Sequence, residues 1–165
     1  DENKGREEKK STDIAVILDQ VLKTMKPEAE RRGITLALKK PKKSLPALMV
    51  PPKHFYEAME NLLSNSIKYN SQNGSVDVLL KEDSDGLIIT VADTGIGIPE
   101  AAQSKIFSKF FRAENAVLKE TEGSGLGLSV VKSYLEEAGA SIRFESVENV
   151  GTTFFIKLPF KPTAS

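Results

Sequence analysis

The sequence predicts a two-layer α/β sandwich of the α+β kind, with helices packed on one face of a mixed, mostly antiparallel sheet. Three observations lead there. Helix-period and strand-period segments are interspersed rather than strictly alternating. The strands of the second half come in pairs that read as antiparallel. A chain of 165 residues with no internal repeat is long enough for one domain with its own core.

Residues 1–10 are charged and mixed in sign, which reads as a linker or as the frayed end of a preceding helix. The domain itself is placed at residues 11–160, with a tail at 161–165. Ser11, Thr12 and Asp13 offer helix caps before Ile14, Ile17, Leu18 and Val21, an apolar set with helical spacing. Pro27 should kink or restart that helix and Gly33 should end it. Ile34, Leu36 and Leu38 alternate as in a strand, and a short strand is expected at residues 47–50. Pro51-Pro52 introduces the strongest helix, over residues 54–69, and Ser71-Gln72-Asn73-Gly74 is a turn. Residues 76–81 and 87–92 read as an antiparallel pair joined across Asp83-Ser84-Asp85-Gly86. A short helix is expected at 101–107, then a long loop to Gly123, a helix over 125–137 ending at Gly139, and strands at 141–146 and 152–158.

Composition removes several functions. Lys plus Arg and Asp plus Glu each number 23, so no global field gathers nucleic acid. The one dense basic run, Lys39, Lys40, Lys42 and Lys43, reads as a solvated loop. The absence of cysteine excludes disulfides and thiolate metal sites and fits a reducing compartment. A single histidine, His54, argues against a His-rich metal site. No apolar run reaches membrane-spanning length.

Four constellations carry chemistry. In the strong helix, Asn61, Asn65 and Lys68 share one face, while Phe55, Met59, Leu63 and Ile67 form another on the far side of the axis. Asparagine is a mediocre helix former, so the polar face is either a solvated surface or the lining of a site. An asparagine carbonyl suits Mg²⁺ and a nearby lysine suits phosphate. Next, Asp93-Thr94-Gly95-Ile96-Gly97-Ile98-Pro99 follows a strand directly. An ionised carboxylate there accepts only, as an exocyclic amine such as adenine's requires, and the glycines allow close approach; a plain surface turn is the other reading. Third, Gly123-Ser124-Gly125-Leu126-Gly127-Leu128 runs into a helix whose first amides would suit a phosphate. It is neither a Walker A loop nor G-x-G-x-x-G. Last, Phe107, Phe110, Phe111 and Arg112 open the long loop. They either clamp the base of a lid, with Arg112 reaching a phosphate, or simply join the core.

Taken in order, Asn61-x-x-x-Asn65 with Lys68-Tyr69, Asp93-x-Gly95-x-Gly97, residues 107–112, Gly123-x-Gly125-x-Gly127 and Gly151-Thr152-Thr153-Phe154 resemble the boxes of sensor histidine kinase catalytic domains. The resemblance spans residues 13–159 and implies the Bergerat ATP-binding fold, shared with gyrase, mismatch-repair and chaperone ATPases. It implies ATP and Mg²⁺ as ligands, with Asp93 on the adenine amine, Asn65 as the metal ligand and Lys68 beside the phosphates. Tyr69 would lie against the nucleotide, with Thr152 near adenine. Asn61, Gly95, Gly97, Ile98, Arg112, Gly123, Ser124, Gly125, Leu126, Gly127 and Leu128 complete the implied nucleotide site, and Asn61, Asn65 and Lys68 the implied catalytic set. Where related ATPases carry a water-activating Glu, Asn61 offers an amide, which cannot act as base. Phosphoryl transfer to a partner is therefore expected over hydrolysis, although Glu57 lies one turn earlier on the same face.

The implied partners are an upstream histidine-bearing dimerisation domain of the same protein and a response regulator receiver domain. Neither nucleic acid nor a membrane contact is expected, the fragment should be monomeric, and its place cytoplasmic. Ser66 stands where Ala is usual, Pro51 where an Asp is common, and Ala138-Gly139-Ala140 where the family has His-Gly-Gly. Two alternatives remain: a chaperone- or topoisomerase-like ATPase module, and a degenerate docking domain without nucleotide.

Overall fold

The computed structural model describes residues 5–120, 125 and 127–161. Seven strands and four α-helices are present among them: β1 Lys10–Thr12, α1 Ile14–Arg31, β2 Thr35–Lys39, β3 Leu48–Val50, α2 Pro52–Lys68, β4 Ser75–Glu82, β5 Gly86–Asp93, α3 Glu114–Lys119, α4 Gly127–Glu137, β6 Ser141–Val147 and β7 Gly151–Pro159. The main sheet has five strands in the order β2-β4-β5-β7-β6. Only β2 and β4 pair in parallel; the other neighbours are antiparallel. The two-layer expectation holds, and the alternation explains it. Val76, Val78 and Leu80 of β4, Leu87, Ile89 and Val91 of β5, and Phe154, Ile156 and Leu158 of β7 are all buried. Period-two patterning puts them on one face, where α1, α2 and α4 cover them.

Helix α2 starts where its sequence says, with Pro52 in the first turn. Its buried residues, Phe55, Ala58, Met59, Leu62, Leu63, Ser66 and Ile67, form the stripe that meets the sheet. Helix α1 is capped by Asp13, whose carboxylate accepts from the Val16 amide at 3.3 Å. It does not restart at Pro27 but runs on to Arg31. Burial of Met25 and Ala29 on either side of the proline, with Glu28–Arg31 and Glu28–Arg32 ion pairs, holds the last turn. Gly33 then takes φ +70° and ends the segment.

Three features depart from the sequence reading. Residues 10–12, expected to be linker and cap, form β1, which pairs with β3 in a separate two-stranded sheet. The helix expected at 101–107 is a 3₁₀ helix at Glu100–Lys105. The long loop contains the short helix α3.

Candidate nucleotide site

Helices α2 and α4 lie side by side, and the C-terminal end of α2 meets the N-terminus of α4. A Cβ on Gly127 would stand 3.5 Å from Nδ2 of Asn65, so the first turn of α4 abuts the asparagine face of α2. The N-terminal end of a helix suits an anion. The loop after β5 and the start of β7 close the opposite wall. Together they enclose a cavity of about 250 Å³ lined by Asn65, Lys68, Tyr69, Asp93, Gly97, Ile98, Arg112, Gly125, Gly127, Leu128 and Thr152.

The structure thus gathers eleven sequence-predicted residues from five distant motifs around one space. Asn61 and Gly95 are not on its wall. Asn61 is half-buried one turn before Asn65. Gly95 is buried behind the wall, where its amide donates to Asp93 and a side chain would strike the Tyr69 carbonyl, 2.5 Å from the Cβ position. Gly123, Ser124 and Leu126 lie outside the described residues.

Asp93 ends β5, and its Oδ1 accepts from the amides of Gly95 at 2.8 Å and Thr152 at 3.2 Å. No hydrogen bond falls on Oδ2 among the described residues. Burial pushes the Asp93 carboxyl above its ordinary value, against the pull of both amides and of the Ser66 hydroxyl. That hydroxyl is near enough to act on the carboxylate but makes no bond of hydrogen-bonding geometry, and Ser66 is 4% exposed. Thr152 is held in turn by Ser146, hydroxyl to hydroxyl at 2.8 Å, and Ser146 also accepts from the Ile98 amide at 2.8 Å. Asn70, which sequence reading passed over, secures the other side. Its side chain donates to the carbonyls of Ser66 and Ser75 and accepts from Ser71 and Thr94, tying the end of α2 to the start of β4.

The segment after the 3₁₀ helix folds over the cavity. Phe107 packs edge-on against Phe144 and Phe154, so it belongs to the core. Phe110 is 71% exposed, at φ +64°, and its amide donates to the Gly125 carbonyl at 3.0 Å, closing the base of the lid. Arg112 donates to the Tyr69 hydroxyl at 3.1 Å and to carbonyls of Ala116 and Glu120, bracing α3. Lys68 lies over the Tyr69 ring. At the far end of α3, Glu120 pairs with Arg32 at 2.6 Å, tethering the lid to the end of α1. The Arg32 guanidinium holds the Glu120 carboxyl below its ordinary value. Asn115, also unforeseen, donates from Nδ2 to the carbonyls of Gly97 at 3.0 Å and Ile96 at 3.4 Å. Asn115 carries no sequence signal and Ser66 only that of standing where Ala is usual, because each matters through contacts made only in the folded chain.

The family described as histidine kinase-, DNA gyrase B- and HSP90-like ATPase matches residues 51–162. The chain belongs to this family. Within it, the likeness is to sensor histidine kinases. The circadian input-output histidine kinase CikA of Synechococcus elongatus is 32% identical over 147 residues, 88% of this chain and 20% of CikA. Sensor histidine kinase Hik2 of Thermosynechococcus vestitus is 33% identical over 154 residues, 92% of this chain and 40% of Hik2. The chain therefore spans a fifth to two fifths of these relatives. Among solved structures, the mycobacterial sensor histidine kinase MprB superposes with TM-score 0.80 at 26% identity, covering 93% of this chain and all of that one. Full-length ShkA in complex with AMPPNP gives 0.79 at 26%, covering 97% of this chain and 33% of ShkA.

Proposed function

We propose that this domain binds Mg-ATP and presents its γ-phosphate to a histidine on a separate domain of the same protein, which then passes it to a response regulator. The observation that carries this is the convergence of Asn65, Asp93, Arg112, Gly127 and Thr152 on one cavity, an acceptor carboxylate on one wall and a helix N-terminus on another. The bound nucleotide analogue of ShkA is consistent with that reading.

In this scheme the residues bind and align. Asp93 accepts a hydrogen bond from the adenine amine, Thr152 stays beside the base, and Tyr69 lies along the nucleotide. The first amides of α4, Lys68 and Arg112 face the phosphates, with Asn61 one turn behind Asn65. Asn65 supplies one neutral oxygen to the cation. No group of three or more His, Cys, Asp or Glu is placed to hold a metal among the described residues. One amide oxygen fits a Mg²⁺ that arrives with the phosphates and keeps water as its remaining ligands, where it would neutralise developing charge. In the transfer, the bond between the γ-phosphorus and its bridging oxygen breaks, its electron pair leaving with ADP. A phosphorus–nitrogen bond forms, and the imidazole loses its proton to solvent. Such a reaction needs alignment and charge neutralisation, with little covalent chemistry from the domain.

Hydrolysis is not favoured. Asn61 is an amide, and Glu57, the remaining candidate base on that face, is exposed and off the cavity wall. The test is a calorimetric titration with a non-hydrolysable ATP analogue, with and without Mg²⁺. Saturable binding strengthened by Mg²⁺ is the expected outcome. An unsubstituted chain that binds no analogue overturns the reading and leaves a degenerate docking domain.

A further inference from the structure

Building on the nucleotide reading, we propose that Asn115 is a second specificity residue for the base: its Oδ1 accepts the hydrogen of the exocyclic amine that Asp93 leaves over. Asn115 stands in α3 and lines the same cavity as Asp93. Its Nδ2 donates to both the Gly97 and Ile96 carbonyls. The amide is thereby fixed in direction, because flipping it would set Oδ1 against two other acceptors. Oδ1 is buried and has no donor among the described residues. A buried acceptor left unpaired is costly, and native folds rarely keep one without a use.

The two carbonyls that hold the amide lie three and four residues beyond Asp93 on the same loop. Asp93 has spent Oδ1 on the Gly95 and Thr152 amides. The loop and α3 therefore set one carboxylate oxygen and one amide oxygen beside the same cavity, both acceptors. An exocyclic amine has two hydrogens and satisfies both. An oxo group in the same place offers none and meets two like dipoles. The pocket is built for a 6-aminopurine over a 6-oxopurine, and a polar site rejects an analogue lacking its donors far better than an apolar one does. Because Asn115 is part of the lid, recognition of the base would also fix the lid's position over the phosphates.

The experiment measures dissociation constants of two non-hydrolysable triphosphates, one of adenosine and one of purine riboside, which lacks the amine. The proteins are the whole chain and Asn115→Ala. In the unsubstituted chain the adenosine compound should bind the tighter. Asn115→Ala should weaken it about tenfold while leaving the purine riboside compound within about twofold. Unchanged purine riboside binding also certifies that the variant is folded. Equal weakening of both compounds by Asn115→Ala reduces the residue to a lid anchor and overturns the proposal. Indifference of the unsubstituted chain to the amine overturns it as well, while ATP binding itself survives. If neither compound binds the unsubstituted chain, the nucleotide reading falls and takes this one with it.

Discussion

At the scale of single residues, Asp93 does two jobs with two oxygens. Both backbone amides land on Oδ1, so Asp93→Asn can keep them with its own carbonyl oxygen while exchanging the Oδ2 acceptor for a donor. The loop should survive and amine recognition should not. Burial raises the folded-state carboxyl above its ordinary value, so at neutral pH the ionised form opposes folding. Asp93→Asn should therefore raise the melting temperature of the empty domain at pH 7. The gain should shrink as pH falls through the folded pKa and vanish below the ordinary carboxylate range, where both states carry a proton. Melting curves across pH, beside the titration, check both halves. A destabilised variant at pH 7 would show that the charge is held by something other than these amides. Asp93, Asn65 and Gly127 were legible because they stand in motifs whose order and spacing together resemble a known family's. Asn70 and Asn115 were not, and Ser66 stood out only where Ala is usual, since a buried hydroxyl or amide acquires its role from neighbours distant in sequence.

At the scale of elements, the loop after β5 is fastened between two structures. Gly97 sits at φ +67°, and a Cβ there would stand 2.2 Å from the Val147 carbonyl in the turn between β6 and β7. The Asn149 amide bonds to Ile96 at 2.7 Å from the same turn. Gly97→Ala should cost at least about 1–3 kcal/mol from backbone strain, more with the clash, and should weaken nucleotide binding by separating loop from turn. Chemical denaturation gives the first number and calorimetry the second; an unchanged midpoint would refute the close approach. The lid is fastened more lightly, at Glu120 by Arg32. Glu120→Gln should speed hydrogen exchange across α3 without slowing the rest of the domain; uniform exchange would mean the ion pair holds nothing. Sequence periodicity found α2, α4 and the hairpin strands because each buries a regular stripe. It missed β1 and α3. A three-residue strand has no period, and a six-residue helix with no buried residue leaves no apolar stripe to read.

At the scale of the whole molecule, two antiparallel helices separate two kinds of chemistry. The far ends of α2 and α4 hold a second polar cluster, away from the cavity. There His54 stacks on Tyr134 with ring centroids 4.2 Å apart, and its Nδ1 lies 3.0 Å from Glu137. Glu7 caps the start of α2, accepting from the amides of His54 and Lys53 at 2.8 and 3.1 Å. This cluster docks the N-terminal segment onto the fold and occupies the chain's one histidine. At 1.5 Å per residue, His54 lies about 16 Å along the axis from Asn65, far beyond the reach of a γ-phosphate in the same cavity. The chain alone, given Mg²⁺ and γ-labelled ATP, should accumulate no acid-labile phosphate above the level of its His54→Ala variant, at any protein concentration. Addition of a histidine-bearing helical hairpin of the kind proposed as partner should supply the acceptor and give labelling. Label on the isolated chain that disappears with His54→Ala would mean that the docked histidine detaches and serves as acceptor, and the division of labour between the two ends of the helices would be wrong. Labelling that depends on the hairpin would establish that the domain aligns a phosphate for a nucleophile it does not contain.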